Sequence, residues 1–318
     1  MISIPRHNIK WIIVALLNVH FCSFAQQLVF NKSKQNKEMY FNYTWSDHKE
    51  QTREIAFALP LRNINRQTHK KFIPDSAQQY VYIELHKAAR RIDPREARVE
   101  IQQRGQGIHV QVTSRSDNLL DKWRRSMDQS KKKALDQYLL DNYYSHFRSH
   151  LGQEAIKPDH LRYITENKAA LLPIAQAVYD KLPTNSETRA YVNLVLSWVQ
   201  SIPYNILENR LSSNGAGYLP PVSVVANNQG DCDSKTVLMA SLVRSLLPDV
   251  KMTMVYLPNH ALLGIVLPFR NNEQTLDIDG LDYLLMEPTG PAKIPLGEIA
   301  NLSANSIAGN MYSFEEVP

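Results

Sequence analysis

The stretch NNQGDCDSKTVLMASLVRSLLP, residues Asn227 to Pro248, carries the only cysteine that follows the first 25 residues, and carries it at the head of an apolar segment. After Gly230-Asp231-Cys232, the residues Val237, Leu238, Ser241, Leu242, Val243 and Leu246 recur at helical spacing and Pro248 stops the run, which predicts a helix over Asp231–Leu247. A thiol at a helix N-terminus meets unpaired backbone N–H groups and the positive end of the dipole, and both favour thiolate. Asp231 and Asp233 add negative charge on either side and oppose it, so a nucleophile here wants a cationic partner.

Downstream, Lys251–Leu257, Ala261–Leu267 and Tyr283–Met286 are strand candidates separated by turn-rich stretches. They predict an antiparallel sheet against the cysteine helix. His260, in YLPNHALLGIVLP, sits where a Pro258-Asn259 loop enters an apolar strand, placed to face the helix head as base and acid. Glu287, in YLLMEPTGP, ends a strand and offers a carboxylate to orient the imidazole, with Asp277, Asp279 and Asp282 as rivals in the preceding turn. The Cys232 backbone N–H could meet a tetrahedral oxyanion, with a side-chain amide from Gln229, Asn228 or Asn227; spacing does not choose among the three. The plain alternatives are a buried structural thiol, a satisfied strand-edge histidine and an exposed carboxylate. A single cysteine with scattered histidines has no metal-ligand spacing.

Gly230-Asp231-Cys232-Asp233 with its helix, then His260-Ala261, then Glu287-Pro288-Thr289, resemble the cysteine, histidine and acid blocks of the transglutaminase-like superfamily, and WVQSIPY (Trp198 to Tyr204) resembles the segment before the cysteine block in its bacterial members. The resemblance covers roughly residues 165–295. It implies a papain-type core with Cys232 as nucleophile, His260 as base and acid and Glu287 as orienter, with no cofactor. The family usually has Asp where this chain has Glu287. Exported bacterial proteins of this type are, by the same resemblance, cysteine peptidases or amidases acting on a protein or peptide; the alternatives are a non-catalytic peptide-binding module of the same fold and a protein-crosslinking transglutaminase or deamidase.

Upstream, MISIPRHNIKWIIVALLNVHFCSFAQQ has a basic start (Arg6, Lys10), an apolar run from Trp11 to Phe24 and a Ser23-Phe24-Ala25 cleavage pattern, which predict a secretion signal cut after Ala25 and a periplasmic or secreted protein. Asn18 and His20 interrupt the run, which falls short of the ~20 apolar residues of a spanning helix, and no later segment is a transmembrane candidate. Cys22 lies in this segment, so the mature chain has one odd thiol, either buried or reactive.

Residues 26–150 hold 23 Lys and Arg against 14 Asp and Glu, net +9, whereas residues 151–318 hold 11 against 17, net −6. This asymmetry divides the chain into a basic and an acidic part. Clusters such as Lys122-Trp123-Arg124-Arg125 and Lys131-Lys132-Lys133 read as the solvated face of a helix; the alternative is attraction of an anionic envelope polymer or of the chain's own acidic half. No nucleic-acid motif accompanies them.

The expected fold class is α+β, a papain-like or transglutaminase-like core of helices on an antiparallel sheet, preceded by a small α+β module and a long connecting helix. The expected divisions are 1–25 signal, 26–116 basic N-terminal module, 117–160 helical connector and 161–318 catalytic domain. Within them, 26–38 reads as an exposed leader, Met39–Trp45 and Arg53–Leu59 as strands, and Asp75 to about Arg91 as a helix opened by a capping box. Residues 97–114 read as a hairpin, Asp117 to about His150 as one amphipathic helix, Pro173–Lys181 and Glu187–Ser201 as helices, and Asn205–Val225 as a long loop.

Overall fold

The computed structural model describes residues 27–64, 69–105, 107–210 and 213–318. The expected signal, residues 1–25, lies outside the described residues. Three strands come first, β1 (Gln27–Gln35), β2 (Glu38–Ser46) and β3 (Thr52–Pro60), in one antiparallel sheet with β2 in the middle. Strict alternation puts Phe41, Tyr43 and Trp45 of β2 and Ile55, Phe57 and Leu59 of β3 on one buried face, with Phe41 opposite Phe57 and Tyr43 opposite Ile55. The expectation of an unstructured leader at 26–38 is therefore corrected. β1 is polar and largely exposed, yet its backbone pairs with β2 through a turn in which Asn36 adopts φ 55°, and Phe30 packs on Tyr43.

After the single turn α1 (Leu61–Ile64) the chain forms α2 (Pro74–Ala89), the hairpin β4 (Arg98–Arg104) and β5 (Gly107–Thr113), and α3 (Asp117–Asp141). Pro74, with its pre-set φ, opens α2 without a side-chain cap, so the expected capping box does not form. Val81, Leu85, Ile92, Ala97, Val112, Met127 and Ala134 make a small core of their own. α3 belongs to that core rather than serving as a connector, and its basic clusters are exposed. The helix is also shorter than expected: Tyr143 turns to φ 59°, and the residues that prolonged the apolar spacing, Tyr144 and Phe147, lie instead on β6 (Tyr144–Arg148), which pairs with β7 (Glu154–Pro158).

The remaining helices are α4 (His160–Tyr179), α5 (Thr188–Ser201), α6 (Pro221–Asn227) and α7 (Cys232–Leu246). α4 starts thirteen residues before the expected Pro173, which stands inside it, and is capped by Asp159 accepting from Arg162 N–H at 3.2 Å. α6 occupies the end of the segment read as a loop. A five-stranded, wholly antiparallel sheet follows, from β8 (Met252–Leu257), β9 (His260–Ile265), β10 (Thr275–Ile278), β11 (Leu281–Met286) and, after α8 (Asn301–Ala308), β12 (Ser313–Val317), in the order β10-β11-β9-β8-β12. α7 packs on β9 and α4 packs along α7, giving the expected antiparallel sheet against the cysteine helix.

The N-terminal sheet shares this core. Tyr43 stands edge-on to Trp198 of α5 and donates to Val225 O (2.8 Å), and Trp45 donates to Ser197 Oγ (3.0 Å). The expected boundary at 116 is redrawn accordingly: β1–β3 pack with the cysteine helix and its sheet, while the α2–α3 unit has a core of its own. Among the described residues no helix is long and apolar enough to cross a membrane.

Candidate active site

The head of α7 is held from three sides. Asp231 is its N-cap, accepting from Ser234 N–H at 3.0 Å. Gly230 pairs with the end of the WVQSIPY segment, donating to Pro203 O (3.2 Å) and accepting from Asn205 N–H (3.1 Å). A Cβ on Gly230 would stand 3.0 Å from Lys235 Cγ and 3.3 Å from Val224 Cγ1, so a larger residue here would press on both side chains. Cys232, half-buried, donates its thiol proton to Asp233 Oδ1 at 3.8 Å. Burial, and after it the charges of Asp233 and Asp231, push the thiol up to about 12. Asp231 is itself pushed up to about 7, by burial first and by Asp233 second.

His260 is the first residue of β9. It pairs with Leu257 across a two-residue turn in which Pro258 has a fixed φ and Asn259 takes the left-handed conformation (φ 61°). Its Nε2 lies 2.6 Å from Glu287 Oε1. The other carboxylate oxygen of Glu287 accepts from Ala300 N–H (2.8 Å) and Ser303 hydroxyl (3.4 Å) at the start of α8. Burial would raise the Glu287 pKa, but the bonds from His260 and Ala300 outweigh it and the carboxyl lies below its ordinary range. The three rival aspartates are exposed near the opposite end of β11; Asp282 is five residues before Glu287, ~16 Å along a strand.

The structure thus joins His260 to Glu287 directly, whereas no hydrogen bond joins Cys232 to His260. What links the cysteine and histidine blocks is Thr236, one turn into α7, whose hydroxyl lies 2.8 Å from Cys232 O and 3.3 Å from Ala261 O. Of the three candidate amides, Asn227 donates to Ser223 O (2.8 Å) and Asn228 exchanges bonds with Gln27 (2.6 and 2.9 Å). Gln229, adjacent to Gly230, accepts from Asn205 Nδ2 at 3.0 Å. Two of the three are therefore engaged with α6 and β1.

The sequence reading missed Lys235. It is wholly buried, and its ammonium reaches Gln200 O (3.3 Å), Ile202 O (2.7 Å) and Thr289 O. Gln200 in turn donates to Glu287 O (3.0 Å) and Ile294 O (2.7 Å). Cysteine helix, WVQSIPY helix end and acid block are bolted together through these two side chains. The available signal was weak, since Lys235 stands between Ser234 and Thr236 in the polar first turn of α7. A cavity of about 330 Å³ opens beside the His260–Glu287 pair, lined also by Leu257, Pro258, Leu302 and Ser303. A larger one, about 590 Å³, is lined by none of the candidate residues. Among the described residues no group of three or more His, Cys, Asp and Glu side chains is arranged to hold a metal ion. Comparison with known proteins finds no matching family model, no matching curated protein and no matching solved structure.

Proposed function

We propose that this chain is an exported, cysteine-dependent acyl-transfer enzyme of the transglutaminase-like, papain-type kind, a peptidase or amidase acting on a protein or peptide, with Cys232 as nucleophile, His260 as base and acid and Glu287 as orienter. The observation that carries the reading is the 2.6 Å bond from His260 Nε2 to Glu287, on a strand packed against the helix that Cys232 opens. With Nε2 committed to the carboxylate, Nδ1 is left for the thiol, and the carboxylate fixes the orientation of the ring.

The reaction requires Sγ to leave Asp233 and meet the imidazole. The thiol proton passes to His260 Nδ1 and the sulfur attacks the amide carbon. The backbone N–H of Cys232 meets the oxyanion. Collapse breaks the C–N bond as His260 returns the proton to the leaving amine, leaving a thioester that water or a second amine resolves. The basic α2–α3 unit is assigned to positioning substrate or an anionic envelope component.

A second reading, a non-catalytic peptide-binding module, is favoured by one observation: the thiol faces Asp233 rather than His260, and burial works against its thiolate form. Alkylation separates the two. Wild-type Cys232 should react with iodoacetamide at neutral pH and His260→Ala should slow it about tenfold or more; equal rates favour the binding module. Ammonia released from a glutamine peptide would identify a transglutaminase or deamidase instead.

A further inference from the structure

Behind the thiol runs a row of polar groups that the cysteine–histidine–glutamate chemistry does not use. Asp233 shows Oδ1 to Cys232 Sγ and Oδ2 to His160 Nε2, each at 3.8 Å. His160, the first residue of α4, is wholly buried and stacked on Tyr218 and Tyr256, ring centroids 5.2 and 5.8 Å away. Its Nδ1 is 3.0 Å from the Tyr256 hydroxyl. That hydroxyl donates to Glu315 Oε2 at 2.8 Å, and Lys157 Nζ lies 2.8 Å from the same oxygen.

Counting protons along the row determines the tautomer. Tyr256 has one proton and spends it on Glu315, so its oxygen accepts from His160 and Nδ1 carries the hydrogen. Nε2 then presents a lone pair. It has no hydrogen-bond partner and faces a carboxyl oxygen, so two acceptors stand opposed. A water making two ~2.8 Å bonds spans ~4.5 Å, more than the gap, whereas a small rotation of Asp233 closes it to a direct bond. One proton reconciles the two.

We propose that Asp233 and His160 hold a single proton between them, on the aspartate side, so that the carboxyl beside Cys232 brings no negative charge to the thiol. His160 is a positioning residue that acts on the sulfur through Asp233. The inference rests on the reading of Cys232 as nucleophile and deepens it. When the thiol proton moves to His260, the thiolate forms beside a neutral acid, while the proton of the Asp233–His160 pair stays in place. The ionisable groups facing the pair are Lys157 of β7, Tyr256 of β8, His260 of β9, Glu315 of β12, Tyr204 and Tyr218 of the segment between α5 and α6, Asp231 and Cys232 beside it, and His69 behind Tyr218. Lys157 and Glu315 offset each other. Burial pushes His160 down and Asp233 up, both toward the neutral pair; the push is firm for the wholly buried imidazole and weaker for Asp233, whose side chain is 34% exposed.

The test is the pH profile of Cys232 alkylation by iodoacetamide, read by peptide mass. His160→Phe removes the acceptor that favours the protonated carboxyl, which shifts Asp233 toward carboxylate, and should move the profile up by about one pH unit, about tenfold at pH 7; adding Asp233→Asn should restore it. An unshifted His160→Phe, or a double variant that stays slow, overturns the proposal. If His160→Phe does not fold, difference infrared spectra of wild type against Asp233→Asn decide: a protonated carboxylic C=O stretch at pH 7 supports the proposal and its absence overturns it. The His260→Ala control keeps the two claims apart. If it leaves alkylation unchanged while the infrared band is present, the nucleophile assignment fails and the shared proton stands.

Discussion

Replacing Lys235 by Met tests how the three blocks are held together. The Met side chain keeps the apolar stem and removes three donors. The carbonyls of Gln200 and Ile202, at the C-terminal end of α5, and of Thr289, two residues past Glu287, then lose the group that satisfies them. Burial pushes the Lys235 ammonium down to about 7. Three acceptors matching its three protons pull the other way, so the charge is well used where it lies. Each orphaned buried carbonyl costs about 1–3 kcal/mol. Relief of the buried charge returns part of that, for a net loss of about 3 kcal/mol. In a chain of 318 residues the melting temperature falls by roughly 4–5 °C. Urea unfolding followed by tryptophan fluorescence measures it, Trp198 of α5 being a buried reporter. A loss under about 1 kcal/mol with an unchanged denaturant slope would refute the clamp.

Three further outcomes follow from the same geometry. Glu287→Gln keeps the shape but loses the charge that stabilises imidazolium, so turnover of a peptide amide should fall roughly 100-fold or more with the melting temperature little changed; comparable turnover would return the orienting role to another group. Thr236→Val removes the hydroxyl between Cys232 O and Ala261 O and should cost about 1 kcal/mol in chemical denaturation, with slower Cys232 alkylation. His69, between Tyr163 and Tyr144, is pushed down to about 4 by burial. The unfolded chain therefore binds more protons between about pH 4 and 6.5, and stability should fall as pH drops through that window, by up to ~3 kcal/mol more in wild type than in His69→Phe. The difference cancels the opposite contribution of Asp231, whose raised pKa favours the fold at low pH. Identical pH slopes in the two proteins would contradict it.

Most of the sheet and the cysteine helix were legible because local pattern and tertiary role agree. β2 and β3 alternate cleanly, α7 is an apolar run behind an Asp cap, and the Pro258-Asn259 turn announces the β8–β9 hairpin. What escaped depends on distant partners. β1 has no apolar face of its own and exists through its ladder with β2. α4 passes through Pro173, which a rule for proline at helix starts turns into a false N-terminus. α3 stops at Asp141 because Tyr144 is drawn to Lys70 O and His69.

In the site, His260 and Glu287 stood out because one opens a strand after a turn and the other directly follows a strand. Lys235 and His160 did not: a buried lysine has no signature beyond its misplaced charge, and His160 meets Asp233 only because α4 packs along α7.

The most direct test is to incubate the chain with digested cell-envelope protein, quench in acid, and map the mass of the peptide that carries Cys232. The account predicts an acyl group on that sulfur, lost on mild alkaline hydrolysis as a thioester should be, and absent from His260→Ala. An unmodified Cys232 in wild type under every donor tried, or an adduct that forms equally well without the imidazole, would contradict it.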